Sequence, residues 1–442
     1  MSPPASRLRI LVVAADEPWP LNSGARLHVF HVVRQLAQHG VVTLLLPSPP
    51  LHAEQLPASV RVEWPSGVPS TTTVGVDAPL VWRRSRRHFG WQPALAAWLA
   101  KHAHPGGFDV ALLHGAQGAL YAAACRVPLV WDLQDELVLP LLRVLESAAW
   151  RNRPRLLRRI GLYVAYERAA MQEAAATVFV ANTDASYARR WCWRARIAVI
   201  ANGVDLEYFR PGATPPHPNT LAFVGALNFE PNVDGITWFV RTAWPYVRAA
   251  DPTRRLLVVG RAPTAAVREL GDVPGVTVVG DVPDVRPYLR QARVVIVPVR
   301  KGGGLKNKVL EACAMARPVV ATSRALAGLS ARRGHDVLVA DGAAMWVAQI
   351  ERLLRSPGYA DAIAQNGYAW VRRAHSWEDA GSRFFALLTD TAQRRPSSDR
   401  YPRFQTDAPS EANVASPPER SAERRTLRVA NACDTLQEAV CR

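Results

Sequence analysis

The apolar residues of this chain fall into short runs separated by longer amphipathic stretches, the alternation expected when strands take turns with covering helices. In the first half the runs cover 9–13, 41–46, 60–64, 110–113, 129–131, 176–180 and 197–200; in the second they cover 220–224, 255–259, 276–279, 294–297, 318–321 and 337–339. Most are rich in β-branched residues, as strands buried on both faces of a parallel sheet should be. The halves meet at Asn202-Gly203-Val204-Asp205, and the Pro- and Gly-rich run that follows from Pro211 to Pro218 suits no element interior. The pattern predicts an α/β chain of two doubly wound, Rossmann-like domains, 1–200 and 201–375, facing a cleft at the carboxyl ends of their strands. An amphipathic segment at 376–393 is expected to pack back on the first domain, and the Pro-, Ser-, Arg- and Glu-rich stretch 394–442 reads as a disordered tail.

Composition narrows the setting. The 442 residues are enough for two separate cores. The longest apolar candidate, 110–131, is interrupted by His114, Gln117 and Arg126, so no spanning helix is expected. The N-terminus runs directly into the first strand, and the five cysteines show no pairing or zinc spacing. A cytoplasmic protein with reduced thiols is the expectation. The net charge of +17 is almost wholly arginine. Two clusters sit among apolar residues: Arg83, Arg84, Arg86 and Arg87 beside Trp82, Phe89 and Trp91, and Arg151, Arg153, Arg155, Arg158 and Arg159 among leucines. Both segments, 83–91 and 151–162, read as basic amphipathic stretches suited to anionic lipid, on the inner face of the cytoplasmic membrane. No nucleic-acid-binding motif accompanies them, and nucleic acid is not an expected partner.

The candidate chemistry concentrates in Lys301-Gly302-Gly303-Gly304-Leu305-Lys306-Asn307-Lys308-Val309-Leu310-Glu311, between a strand and a helix. Glycines let backbone N–H groups approach a ligand at a helix N-terminus, which suits phosphate. The chain has four lysines, and three of them stand here, where compact point charges would serve a diphosphate. Glu311, further along the helix, is placed to accept from ribose hydroxyls. Asp132 and Asp135 follow a strand end and are expected to overhang the same cleft on the acceptor side, although Asp135 could equally cap a helix. Glu167-Arg168 reads as a surface pair.

This stretch resembles the signature of family-four GT-B glycosyltransferases. So do Phe223-Val224-Gly225 with Asn228, Asn202-Gly203-Val204-Asp205 with Phe209 and Pro211, Gly280-Asp281-Val282, and Asn22-Ser23-Gly24-Ala25-Arg26. The resemblance implies the GT-B fold and transfer of a sugar, with retention, from a nucleotide-diphosphate sugar to a glycan or lipid-linked acceptor. It implies that Gly303, Gly304, Leu305, Lys306 and Lys308 hold the diphosphate, with Gly225, Asn228 and Gly24 lining the donor side. Glu311 would hold the ribose, Asp281 and Val282 the nucleobase, and His114 the donor sugar; Lys308 and Glu311 join His114 in the catalytic set. Asn22 and Arg26 fall on the acceptor side. No cofactor and no metal are expected, because cations of the protein stand where a metal would. The chain departs from the family at Gly303, where the common pattern has a glutamate that touches sugar hydroxyls, so the sugar is not implied. A same-fold nucleotide-sugar epimerase and a non-catalytic binding protein remain the alternative readings.

Overall fold

The computed structural model describes residues 7–21, 23–66, 80–302 and 304–394. Asn22, Gly303 and the expected tail beyond 394 therefore lie outside the described residues. The chain forms two parallel sheets, with helices packed on their faces. The first sheet runs β3-β2-β1-β4-β5-β6-β7, built from β1 (Arg9–Ala14), β2 (Val41–Leu45), β3 (Arg61–Glu63), β4 (Val110–His114), β5 (Leu129–Gln134), β6 (Ala176–Phe179) and β7 (Ile197–Val199). The second runs β10-β9-β8-β11-β12-β13, from β8 (His217–Val224), β9 (Arg255–Gly260), β10 (Val276–Gly280), β11 (Ala292–Val297), β12 (Val319–Ala321) and β13 (Leu338–Val339). In both sheets the strand order reverses beside the strand that comes first in the chain, leaving a crevice beyond the carboxyl ends where ligands bind in such folds.

The uniform apolar runs have the expected cause. Ile10, Leu11, Val12 and Val13 are all fully buried, with Leu11 and Val13 in one core and Ile10 and Val12 in the other, so β1 feeds both faces of its sheet. Burial of each such side chain contributes about 1.5–3 kcal/mol of transfer free energy. The helix Trp377–Gln393 places Trp377, Phe384 and Leu388 in the N-terminal core beside Val29 and Val33, and Gln35 packs against Gly381. The chain thus crosses between the domains twice, near Asn202 and near His375. The crossings touch: Val204 N donates to His375 O at 2.8 Å, and a Cβ on Gly203 would lie 2.4 Å from Trp377 N. No helix among the described residues is long and apolar enough to cross a membrane.

The basic segment 83–91 differs from its expected use. Phe89 is buried, with its ring 4.8 Å from that of Tyr166, Trp82 packs edge-on to Tyr166, and Trp91 stacks on Tyr121. Its aromatic side chains pack on the core, and Arg83, Arg84, Arg87 and His88 are exposed. The second segment keeps Leu157 at 55 % exposure among Arg153, Arg155 and Arg158, and Trp150, just before it, is 82 % exposed.

Candidate active site in the interdomain cleft

The C-terminal wall is made by one loop and one helix. After β11 the backbone turns through Gly302 and Gly304, whose φ values of +90° and +68° lie in the left-handed region that favours glycine. The helix Asn307–Ala314 then begins, carrying Lys308 and Glu311. Lys308 Nζ donates to Asn232 Oδ1 at 2.7 Å and lies 4.4 Å from the centre of the Phe223 ring. A Cβ on Gly225 would stand 2.4 Å from that ammonium, so glycine there makes its room. Burial lowers the Lys308 pKa to about 7, against the pull of Glu311. Burial likewise raises Glu311 to about 7, with Lys308 opposing. Both groups are held ready for a partner that brings charge or hydrogen bonds. Lys306 is also lowered by burial, and its Nζ donates to Gly304 O at 3.2 Å.

Other expected members of this wall are placed less directly. Leu305 packs half-buried against the core, and Asn228 is exposed at the loop after β8. Asp281 adopts a left-handed φ of 52°, and its Oδ1 accepts from Ala262 N at 2.7 Å, bracing two loops together. Val282 packs partly against the core. Lys301, grouped with the phosphate lysines on sequence grounds, instead pairs with Asp234 at 3.0 Å and Glu230 at 3.2 Å, so its charge is already answered. Tyr208, which the sequence did not single out, carries the Arg286 guanidinium 3.7 Å above its ring and feels the charge of Glu311.

The N-terminal wall draws on several elements. Ser23 caps the helix Gly24–His39, and a Cβ on Gly24 would point at Asn307 Nδ2, 3.5 Å away across the cleft. Arg26 reaches back to Pro20 O at 3.4 Å. Asp135 stands against the glycine loop: a Cβ on Gly304 would meet its two carboxylate oxygens at 3.0 and 3.2 Å. Burial and the neighbouring Asp184 raise Asp135 to about 6. Arg143 Nη1 lies 3.4 Å from Gly302 O, and a small cavity of about 40 Å³ between the domains is bounded by Arg143, Asp184, Gly302, Gly304 and Arg324.

Three expectations for this wall are corrected. Asp132 does not overhang the cleft; it is fully buried, because β5 turns it toward the helix Gly24–His39, where His28 and His114 both reach its Oδ2 at 2.9 Å. Asp135 does not cap the following helix, since Glu136 accepts from Val138 N and Leu139 N. Glu167 is no surface residue: it is fully buried, accepting from Leu137 N at 2.8 Å and Trp191 Nε1 at 3.0 Å, and burial beside Glu136 pushes its pKa well up.

His114 ends β4 directly beside Asp132 in the sheet register, and it is the least buried of the three. His28 escaped the sequence reading, although it lies one turn inside the helix that Gly24 opens toward the cleft. Among the described residues, His28, His114 and Asp132 form the group whose donor atoms could surround a metal, within 4.8 Å of one another. In the structure both imidazoles engage one carboxylate oxygen, Asp132 Oδ2, while the buried Oδ1 has no hydrogen-bond partner.

The two walls match known families. Residues 22–208 match the model described as Glycosyltransferase Family 4, and residues 218–356 match Glycosyl transferases group 1. Among solved structures, sucrose-phosphate synthase from Thermosynechococcus elongatus superposes with a TM-score of 0.63 at 19 % identity, over 87 % of this chain and 99 % of that one. HepE from Anabaena, in complex with UDP, superposes with a TM-score of 0.62 at 14 % identity, over 87 % of this chain and all of that one. These likenesses establish the fold. An uncharacterized 44.6 kDa protein in the cps region of Klebsiella pneumoniae is 22 % identical over 177 residues, 38 % of this chain; the match spans 46 % of that relative's length.

Proposed function

The chain belongs to the GT-B glycosyltransferases of the group 1, family 4 kind, and on that premise we propose that it moves a hexosyl group from a nucleotide-diphosphate sugar to a glycan or lipid-linked acceptor, with retention. The observation that carries this reading is the C-terminal wall: Lys308 in the space that Gly225 leaves open, Glu311 on the same helix, and the left-handed Gly302 and Gly304 before them. In this reading the loop and Lys308 take the diphosphate, Lys306 adds charge beside it, and Glu311 takes the ribose. As the anomeric bond breaks, negative charge grows on the leaving diphosphate, and these groups answer it without reorganising. His114 and Gly24 face the sugar from the other wall. The UDP and UDP-glucose complexes of HepE support a nucleotide sugar as donor.

Placement of the Klebsiella relative in a cps region supports polysaccharide or glycoconjugate assembly as the setting. Exposed Trp150 and Leu157 among arginines support peripheral contact with an anionic membrane on the acceptor side. A thermal-shift screen against UDP-, GDP- and ADP-sugars tests the donor half: one nucleotide class should raise Tm by mass action. Incubation of that donor without acceptor then separates slow hydrolysis, expected here, from isomerisation, which would mark an epimerase. No shift with any of the three, or a bound donor that is never turned over, overturns the reading.

A further inference from the structure

The cleft histidine and the interdomain crossing are two ends of one buried hydrogen-bonded chain. His114 Nδ1 and His28 Nε2 each lie 2.9 Å from the same oxygen, Asp132 Oδ2. His28 Nδ1 continues to Asn202 Oδ1 at 2.6 Å, and the Asn202 carbonyl accepts from His375 Nδ1 at 3.0 Å. Asn202 and His375 stand on the two segments that join the domains. His28, Asp132, Asn202 and His375 are all buried.

Donor and acceptor rules determine where the protons sit. A carboxylate and an amide oxygen only accept. His28, between one of each, is placed to donate from both nitrogens. Its burial opposes the charge this needs, but Asp132 outweighs the cost and its pKa is raised. Asp132, correspondingly, stays a carboxylate: burial would raise its pKa, and the His28 charge pulls it down further. Its Oδ2 is then an acceptor for the Nδ1–H of His114. Gln134 Nε2 lies within reach of both ring nitrogens, 3.0 Å from His114 Nε2 and 3.3 Å from Nδ1, so it does not occupy the outward lone-pair direction of Nε2. Gln134 sits at a bulge of β5 with a left-handed φ of 71°, strain of the kind held at functional sites.

We propose that Asn202, His28 and Asp132 are a positioning relay, anchored at the interdomain crossing, that holds His114 with its proton on Nδ1 and offers Nε2 as a hydrogen-bond acceptor. The relay rests on the glycosyltransferase reading and deepens it at one point: a substrate hydroxyl donates to His114 Nε2. Asp132, His28 and Asn202 touch no substrate and act through His114.

Nitrogen NMR of the histidine rings in the full chain tests this, with His114 and His28 assigned by the signals lost in His114→Gln and His28→Gln. The expected result is a pyrrole-type Nδ1 and a pyridine-type Nε2 on His114, and two protonated nitrogens on His28. Asp132→Asn and Asn202→Leu should each release His114 into a mixture of tautomers. Each should lower kcat about tenfold or more while the donor KM stays within about twofold. Asn202→Asp, which keeps an acceptor oxygen, should retain the Nδ1–H form. Should Asp132→Asn fail to fold, the wild-type ring shifts and Asn202→Leu still decide. A His114 proton on Nε2 in the wild type, a tautomer unmoved by the substitutions, or one equivalent of metal in the purified protein overturns the relay. The ring shifts need no substrate, so a chain that shows this tautomer but transfers no sugar overturns the activity alone.

Discussion

On the C-terminal wall of the cleft, the groups proposed to hold the donor come from one loop and one helix start, with Gly302, Gly304, Lys306, Lys308 and Glu311 close in sequence; on the N-terminal wall, His28 and Asp132 meet across 104 residues of sequence. The first wall leaves its cation short of charged partners: Lys308 has an amide oxygen and an aromatic face, and burial presses its proton off. The second wall ties Asp132 to His28 and His114 inside the fold, and burial holds its Glu136 and Glu167 toward the protonated form. A wall that waits for charge is suited to bind an anion. A wall whose buried groups are tied to one another is suited to hold a shape.

Removing the waiting charge should have the largest consequence. Lys308→Met should cut donor turnover at least about a hundredfold, the scale seen when one preorganised donor to a developing charge is lost. Its Tm should not fall, because the buried ammonium is a cost to the empty fold. A drop in Tm that accounts for the lost turnover would move Lys308 from the binding wall to the structural one.

Proton uptake on binding sharpens the same contrast. At pH 8.5 Lys308, at about 7, is largely neutral, and Glu311, also at about 7, is already ionised. A diphosphate favours the ammonium, so nucleotide binding should take up to about one proton from the buffer, read from calorimetry in buffers of different ionisation enthalpy. Lys308→Met should abolish the uptake, whereas an N-terminal substitution such as Arg26→Ala should not.

The smallest effect concerns the N-terminal wall. Glu136 and Glu167 are raised by burial, so the folded chain binds more protons than the unfolded one as pH climbs above about 5, where free glutamate ionises. Stability should therefore fall as pH rises from 5 to 8, and Glu167→Gln should flatten that slope by a few degrees in Tm. A slope unchanged in the variant would assign the pH dependence to other groups.

The same division explains what the sequence disclosed. The sheets were legible because strands buried on both faces read as unbroken apolar runs, and the glycine–lysine loop because its parts are neighbours in the chain. Asp132 was read as facing the cleft because a strand end says where a residue lies but not which side chain another element will claim. Glu167 looked like a surface pair because nothing near it announces that Trp191 and the Leu137 amide will close over it. Lys301, in the loop, counts with its neighbours by sequence, but Asp234 on the helix Glu230–Thr242 answers its charge. Each of these readings failed at a contact between distant segments.

Gly225 carries a different kind of consequence. It offers no side-chain atom to the site, yet the ammonium of Lys308 occupies the volume that any side chain at 225 would fill. Positions 225 and 308 are thus a single unit of variation: a methyl group at the first evicts the cation from the second. In a library of variants, the two should change together or not at all, and a glycine with no chemistry of its own will score as though it were charged.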